Sequence, residues 1–195
     1  MNLSRRELRD LLVAWLALGL AFALFFERVT PGTLLAFLLS PAFLRAMVVS
    51  LLTVGVGFLL HELAHKVVAV HFNQYARFKA DYGMLLLAIG GGLAGIVFAA
   101  PGAVVHRGRL TARQHGLIAL AGPVTNLALA ALFVPVTLID PLLGSRGVSI
   151  NLLLAAFNML PIGILDGATV KDWSLPVYLA VTIPSVVLTV WWLVL

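Results

Sequence analysis

Long apolar stretches, separated by short polar segments, dominate the pattern of this chain. A membrane-spanning helix needs about 20 consecutive apolar residues, and five stretches approach or exceed that length. They cover residues 11–27, 43–72, 117–139, 148–166 and 176–195. The pattern predicts an all-α polytopic membrane protein with five or six transmembrane helices, depending on how a sixth stretch at 82–105 is interpreted.

The sixth stretch is rich in glycine and differs from a regular span. It contains Gly90, Gly91 and Gly92 in a row, and Pro101 lies near its end. Glycine disfavours a helix by about 1 kcal/mol relative to alanine. Backbone that leaves the helix at membrane depth survives only where protein or water covers it. We predict a membrane-embedded re-entrant loop or strand segment at 82–105, with a sixth full span as the alternative.

The distribution of positive charge favours the re-entrant arrangement. With a cytoplasmic N-terminus, 10 of the 13 lysines and arginines lie on the cytoplasmic side if 82–105 returns, but only 7 if it crosses. Cytoplasmic loops carry an excess of Lys and Arg, so the first topology is preferred. The same rule accounts for the net charge of +5 without a nucleic-acid partner. We expect an integral multi-pass protein in a lipid bilayer, with its N-terminus in the cytoplasm.

The composition leaves no segment for a separate soluble domain. Hydrophobic residues make up 62% of the chain, against about 45–50% in soluble domains. We predict a single integral membrane domain over residues 1–195. The first apolar stretch is interpreted as a retained helix, and a signal peptide is the alternative. The absence of cysteine excludes disulfides and zinc sites made of cysteine.

Candidate chemistry lies in the second stretch, in "LLHELAHKVVAVHF" at residues 59–72. His61 and His65 are four residues apart, so a helix presents both imidazoles on one face. Such a pair can bind zinc, and Glu62 beside them can take a proton from the water that zinc activates. Two capped histidines with a surface glutamate are the structural alternative. A charged group in a membrane helix costs at least about 2.5–3.5 kcal/mol, which disfavours that alternative.

A catalytic zinc needs a third protein ligand, and Asp166 is the strongest candidate. No glutamate follows Glu62, and Asp81 and Asp140 lie in flanks or loops. Asp166 ends an apolar stretch and offers an oxygen donor suited to zinc. Pro161 and Gly163 interrupt the helix before it, which lets the chain turn Asp166 toward the metal. Its alternative role is a helix cap at the membrane interface, and Asp172 is a weaker candidate ligand.

His71 lies at the sequence spacing expected of a third histidine ligand. Without a helix break after His65, however, His71 points about 240° away and lies about 9 Å further along the axis. We therefore interpret His71 as an interfacial residue. His61 and His65 lie late in the second stretch and Asp166 late in the fourth, and both stretches run toward the cytoplasm in the preferred topology. This places the active site within the membrane, nearer its cytoplasmic side.

Three motifs together resemble the site-2 protease family of intramembrane zinc metalloproteases. They are "HELAH" at 61–65, "AGPVTN" at 121–126 and "NMLPIGILDG" at 158–167, within a core of roughly residues 43–170. The resemblance implies one zinc ion per chain held by His61, His65 and Asp166. It implies that Glu62 is the catalytic base and that Asn158 lies close to the catalytic centre.

The resemblance also implies the substrates, which would be transmembrane proteins cut within or near their spans. We expect no PDZ or CBS domain in this chain. Two alternatives stay open at this stage. One is a membrane zinc protease that cuts soluble substrates at the cytoplasmic face, and the other is a zinc-binding transporter or other non-proteolytic membrane protein.

Overall fold

A computed structural model describes residues 3–96 and 102–194 of the chain. These residues are mostly helical, with one pair of short strands. In chain order the elements are α1 (Arg5–Phe26), α2 (Leu34–Leu38), α3 (Pro41–Ser50), α4 (Val56–His71), β1 (Tyr75–Ala80), α5 (Tyr82–Ala94), β2 (Gly102–Arg107), α6 (Ala112–Phe133), α7 (Pro141–Asn158), α8 (Asp166–Trp173) and α9 (Leu175–Val194). The all-α class predicted from the sequence is confirmed.

Among the described residues, four helical segments are long and apolar enough to cross a membrane. They are Arg5–Phe26, Pro41–His71, Ala112–Leu138 and Leu175–Val194. The second is continuous because a π-helical turn, Leu51–Gly55, joins α3 to α4. These segments confirm four of the five predicted spans and make this a multi-pass membrane protein.

The fifth predicted span has different bounds in the structure. The helix α7 begins at Pro141, with Asp140 as its N-cap, and ends at Asn158 rather than continuing to residue 166. Pro161 and Gly163 lie in the irregular segment that follows, where Gly163 has a φ of 58° that favours glycine. A separate helix, α8, then begins at Asp166. The apolar stretch at 148–166 is therefore not one continuous helix, and the chain turns before Asp166, as the interruption by Pro161 and Gly163 predicts.

The segment 82–105 contains a helix and a strand. The helix α5 has 13 residues, which extend about 20 Å, whereas a span of the hydrocarbon core needs about 30 Å. The strand β2 pairs with β1, which lies directly before α5. The chain thus returns to the strand it left, which favours the re-entrant arrangement over a full crossing by 82–105. Residues 97–101 of this segment lie outside the described residues.

The chain forms two compact units. The larger unit contains Leu60–Arg77 and Val104–Leu195, and the smaller unit contains Asn2–Leu59 and Phe78–Ala103. All the candidate zinc ligands belong to the larger unit. The single domain over 1–195, with its catalytic core at about 43–170, stays a prediction.

In the smaller unit, α1 is the central helix. The indole Nε1 of Trp15 donates to the carbonyl oxygen of Leu51 at 3.0 Å. Gly92 of α5 lies so close to the Ala21 backbone of α1 that an added Cβ atom would overlap the Ala21 carbonyl oxygen. Two buried acids also stabilise this unit, since Glu7 accepts from the Phe78 backbone N–H at 3.0 Å and Asp10 from the Tyr82 hydroxyl at 2.8 Å.

In the larger unit, α6 packs against both α7 and α8. Its Ala119 contributes to an apolar cluster with Met159, Val170 and Tyr178. On α7, Val148 and Leu152 form a second cluster with α6, centred on Ala130 and supported by Leu127 and Phe133. This packing holds the start of α8 close to α6, and so positions Asp166.

Candidate metal centre

The helix α4 presents His61 and His65 on one buried face. Their ring centroids lie 4.6 Å apart and the two ring planes are nearly perpendicular, at 86°. Both side chains are buried, with exposures of 5% for His61 and 8% for His65. The helical spacing predicted from the sequence therefore brings the two imidazoles together.

Asp166 lies against both imidazoles. Its Oδ2 atom is 3.3 Å from Nε2 of His61 and 3.4 Å from Nε2 of His65. The turn after α7 makes this approach geometrically feasible. The next residue, Gly167, lies directly against the backbone of Met159 and Leu160, where a side chain would overlap their carbonyl oxygens. The "DG" pair thus combines a carboxylate with the small residue that its position requires.

Each imidazole also makes a hydrogen bond through Nδ1, the ring nitrogen that does not face Asp166. His61 Nδ1 lies 2.6 Å from Asn126 Oδ1, and His65 Nδ1 lies 2.7 Å from the carbonyl oxygen of Ile118. A carbonyl oxygen accepts hydrogen bonds and cannot donate them, so the proton of His65 is on Nδ1. Nε2 is then the nitrogen of His65 that is left to bind a metal, and it faces Asp166. Metal-binding histidines are commonly fixed in this way by a second acceptor.

The three facing atoms fit a cation. Asp166 Oδ2 is buried and has no hydrogen-bond partner among the described residues. A lone pair of a neutral imidazole cannot satisfy a carboxylate oxygen, and an unsatisfied buried acceptor is costly. In a tetrahedral zinc site with bonds of about 2.0–2.1 Å, neighbouring ligand atoms lie about 3.3–3.4 Å apart. The observed distances of 3.3 and 3.4 Å match that tetrahedral edge.

Glu62 lies beside the three facing atoms and is also buried. It offers a carboxylate oxygen within 4.8 Å of the histidine nitrogens, so it belongs to the same cluster. Its Oε2 atom accepts a hydrogen bond from the Val104 backbone N–H of β2 at 3.1 Å. The distances from Asp166 to the two histidines match the tetrahedral edge, whereas the Val104 N–H holds the Glu62 carboxylate toward β2. This difference favours a role for Glu62 beside the metal rather than as a metal ligand. The cluster fits a single zinc ion.

Gly122 on α6 leaves the space that the two imidazoles occupy. A Cβ atom at this position would lie 2.5 Å from His61 Nε2 and 2.6 Å from His65 Nε2. Pro123 follows inside the same helix, and both residues are buried. The "AGP" part of the second motif is therefore the surface against which the histidines pack.

Asn158 has a local hydrogen bond in the structure. Its Nδ2 atom donates to the carbonyl oxygen of Leu154, one turn earlier in α7, at 2.9 Å. This bond lies within α7 and does not link Asn158 to another helix. The predicted role of Asn158 near the catalytic centre stays a prediction.

The remaining sequence candidates have other positions. His71 is exposed at the end of α4, where its ring packs on Phe72. Asp81 caps α5 by accepting from the Met84 backbone N–H, and Asp140 caps α7 in the same way. Asp172 is exposed near the end of α8. The positions of Asp81 and Asp140 agree with the flank or loop positions predicted for them.

Sequence reasoning missed several groups around the metal centre. The Ile118 carbonyl and the Val104 N–H belong to the backbone, so no residue type marks them in the sequence. Asn151 of α7, which binds Asn126, lies outside the three motifs. Its signal was available nonetheless, because an amide within "SINLLLAAF" is a polar group in an apolar helix.

One comparison with known proteins is informative about the whole chain. A protein of Methanocaldococcus jannaschii with the name "putative zinc metalloprotease" is 37% identical over 192 residues, which cover 94% of this chain and 92% of that protein. No protein-family model matches the chain. No solved structure matches it either.

Proposed function

The chain belongs to the family of this archaeal zinc metalloprotease and is a membrane metalloprotease, and from that premise we propose an intramembrane protease of the site-2 type. It would hydrolyse peptide bonds within or near the transmembrane segments of other membrane proteins, as in regulated intramembrane proteolysis. The observation that carries the proposal is the buried cluster of His61, His65 and Asp166, with Glu62 beside it.

In the proposed reaction His61, His65 and Asp166 hold the zinc ion. When bound, zinc polarises a carbonyl and lowers the pKa of a water molecule from 15.7 toward about 7. Glu62 takes a proton from the attacking water as the new C–O bond forms at the scissile carbonyl. The same carboxylic acid then gives the proton to the amine nitrogen as the C–N bond breaks. General acid–base catalysis of this kind contributes typically about 10²–10⁴-fold.

The Val104 N–H supports the proposed role of Glu62. It holds one carboxylate oxygen at 3.1 Å and leaves the other oxygen for the proton. A hydrogen bond from a backbone donor fixes the carboxylate in place, and a fixed base needs less reorganisation during reaction. Asn158 is proposed to stabilise the oxyanion or to hold the substrate, which requires its amide to leave the Leu154 carbonyl.

The apolar surroundings of the centre support substrates inside the membrane. His61 and His65 lie in the 31-residue apolar segment Pro41–His71, one of the four candidate spans. In the proposed topology the N-terminus is cytoplasmic and the centre lies nearer the cytoplasmic face. A helical substrate must unwind locally before attack, because its own backbone hydrogen bonds shield the peptide bond.

The strand β2 is a candidate docking edge for the unwound substrate. β2 has β1 as its strand neighbour in a two-stranded sheet of the described residues. The Val104 N–H donates to Glu62, so the base lies beside β2. An extended peptide can add to a strand edge through main-chain hydrogen bonds. The proposal therefore places the scissile bond along β2, next to Glu62.

Cysteine crosslinking can test this docking edge, since the native chain has no cysteine. Val105→Cys on β2 is the test variant, and Leu138→Cys, at a residue that is 87% exposed, is the control. A substrate peptide with a cysteine near its cleavage site should form a disulfide with the first variant only. Equal trapping by both variants would contradict docking on β2.

The proposed function is tested by Glu62→Gln, with Glu27→Gln at an exposed position as the matched control. Each purified protein is incubated with a membrane-spanning peptide, and mass spectrometry locates the cut. We expect cleavage within the span by the parent and the control, and loss of cleavage with zinc retained in Glu62→Gln. Zinc binding without cleavage by the parent would favour a non-proteolytic zinc protein, and cuts only in a soluble loop would favour a surface protease.

A further inference from the structure

A chain of buried hydrogen bonds leads away from the metal centre through three helices. His61 of α4 contacts Asn126 Oδ1 of α6 at 2.6 Å. Asn126 Nδ2 donates to Asn151 Oδ1 of α7 at 2.9 Å, and Asn151 Nδ2 donates to the Gly147 carbonyl oxygen at 2.9 Å. Both asparagine side chains are completely buried. This relay of Asn126, Asn151 and the Gly147 carbonyl connects α7 to a candidate zinc ligand.

The Gly147 carbonyl sets the direction of the whole relay. An amide group can be turned so that its oxygen and nitrogen exchange places, but a backbone carbonyl can only accept. Asn151 must therefore point its NH₂ group at Gly147 and its oxygen at Asn126. Asn126 must then present its NH₂ group to Asn151, which leaves its oxygen for His61.

This direction decides which nitrogen of His61 carries the proton. An oxygen at Asn126 Oδ1 requires a donor, so His61 donates from Nδ1, and Nε2 is the nitrogen left to bind a metal beside Asp166. A reversed Asn126 amide would donate to Nδ1 and move the proton to Nε2. In that form His61 could not bind a metal, because a ligating nitrogen needs its lone pair.

His65 differs from His61, because it needs no such relay. Its Nδ1 donates directly to the Ile118 carbonyl, which cannot be reversed. His61 instead meets an asparagine, whose amide has two orientations of opposite effect. The fixed acceptor for His61 is the Gly147 carbonyl, two hydrogen bonds further away.

We propose that Asn126 and Asn151 are positioning residues that hold His61 in its metal-binding tautomer. This inference deepens the proposed function, because it rests on the same zinc ligand set. Removing Asn151 removes the acceptor that directs the Asn126 oxygen toward His61, and the zinc dissociation constant should then rise. Loss of a second-shell partner of this kind typically lowers metal affinity by about 10–100-fold.

The test compares substitutions of the full-length chain. Asn151→Leu removes the acceptor for Asn126 at similar volume. Asn151→Asp is the rescue, since a neutral carboxylic acid can accept from Asn126 and donate to Gly147 in the original direction. Ser149→Ala is the matched control, because it removes a different interhelical bond of α7, from the Trp192 indole to Ser149 Oγ at 3.0 Å.

Two measurements are made on each variant. Zinc affinity is measured by competition with a chelator, and the protonated nitrogen of His61 is identified by ¹⁵N NMR of the histidine-labelled protein. We expect Asn151→Leu to bind zinc about 10-fold or more weakly and to lose the proton from His61 Nδ1. We expect Asn151→Asp and Ser149→Ala to stay within about threefold of the parent and to keep the proton on Nδ1, which is well short of that second-shell loss.

The outcomes separate the relay from the proposed protease function. Unchanged affinity and an unchanged His61 tautomer in Asn151→Leu would overturn the relay, even if the parent cleaves its substrate. If Asn151→Leu does not fold, Asn151→Asp still decides, because a tenfold loss of affinity or loss of the His61 Nδ1 proton in that variant would overturn the relay. A parent that binds zinc through a relay-dependent His61 but cleaves nothing would overturn the protease and leave the relay standing.

Discussion

Gly122 of α6 lies directly against the imidazole of His61. A Cβ atom on Gly122 would be 2.5 Å from the Cε1 and Nε2 atoms of that ring, and 2.6 Å from His65 Nε2. Such distances are well below van der Waals contact, so the smallest possible side chain already displaces a candidate zinc ligand. The close approach of α6 and α4 at this point is thus part of the metal centre.

The first prediction is that Gly122→Ala weakens zinc binding. The added methyl group must push one or both imidazoles away from Asp166, which changes the ligand geometry. We expect the zinc dissociation constant to rise by about 10-fold or more, as for loss of a group that orients a ligand. Chelator competition on the purified protein measures this. Gly90→Ala is the control, because a Cβ at Gly90 meets nothing within 4 Å.

The second prediction distinguishes Asp166 from the other acid of α8. Asp166→Asn removes the carboxylate that faces both histidines, whereas Asp172→Asn changes an exposed residue at the other end of the helix. We expect Asp166→Asn to lose more than the roughly 10–100-fold affinity that a second-shell change costs. Asp172→Asn should bind zinc like the parent. Equal zinc affinity in both variants would rule out Asp166 as a ligand.

The third prediction separates two glycines of α5 by their surroundings. Gly92→Ala places a methyl group on the Ala21 backbone, and backbone cannot move aside cheaply. Its thermal unfolding temperature should fall. Gly90→Ala has open space and should stabilise the helix by about 0.5–1 kcal/mol, because alanine loses less conformational freedom than glycine. A Gly92→Ala protein as stable as Gly90→Ala would contradict the close α1–α5 contact.

The fourth prediction concerns Asn158. If its amide stabilises the oxyanion, Asn158→Ala should lower kcat by about 10²–10³-fold while zinc affinity stays unchanged. Steady-state cleavage of a membrane-spanning peptide gives kcat, and chelator competition gives the affinity. A variant with normal kcat would leave Asn158 with only its observed bond to the Leu154 carbonyl.

Much of the fold follows from simple regularities in the sequence. Apolar length located four helical segments, and the four-residue spacing of His61 and His65 placed both imidazoles on one face. The pairing of β1 with β2 was harder to foresee. β1 has the sequence "YARFKA", whose short polar and charged pattern looks like a loop between spans. Its partner lies beyond α5, so the pairing depends on contacts distant in sequence.

The bounds of α7 could not be read from apolar residues alone. The stretch stays largely apolar through Leu165, so hydrophobicity alone predicts a helix to residue 166, but the helix ends at Asn158. The backbone decides this, because Pro161 lacks an N–H and Gly163 adopts a positive φ. The two backbone groups at the metal centre, at Ile118 and Val104, were unpredictable for a similar reason, since every residue except proline offers the same N–H and C=O.

The most direct test of the metal centre is an X-ray structure of the zinc-loaded protein with anomalous diffraction at the zinc edge. We expect one anomalous peak per chain, at about 2.0–2.2 Å from His61 Nε2, His65 Nε2 and a carboxylate oxygen of Asp166, with Glu62 outside bonding distance. A peak coordinated by Glu62 in place of Asp166, or no peak near the two imidazoles, would contradict this site.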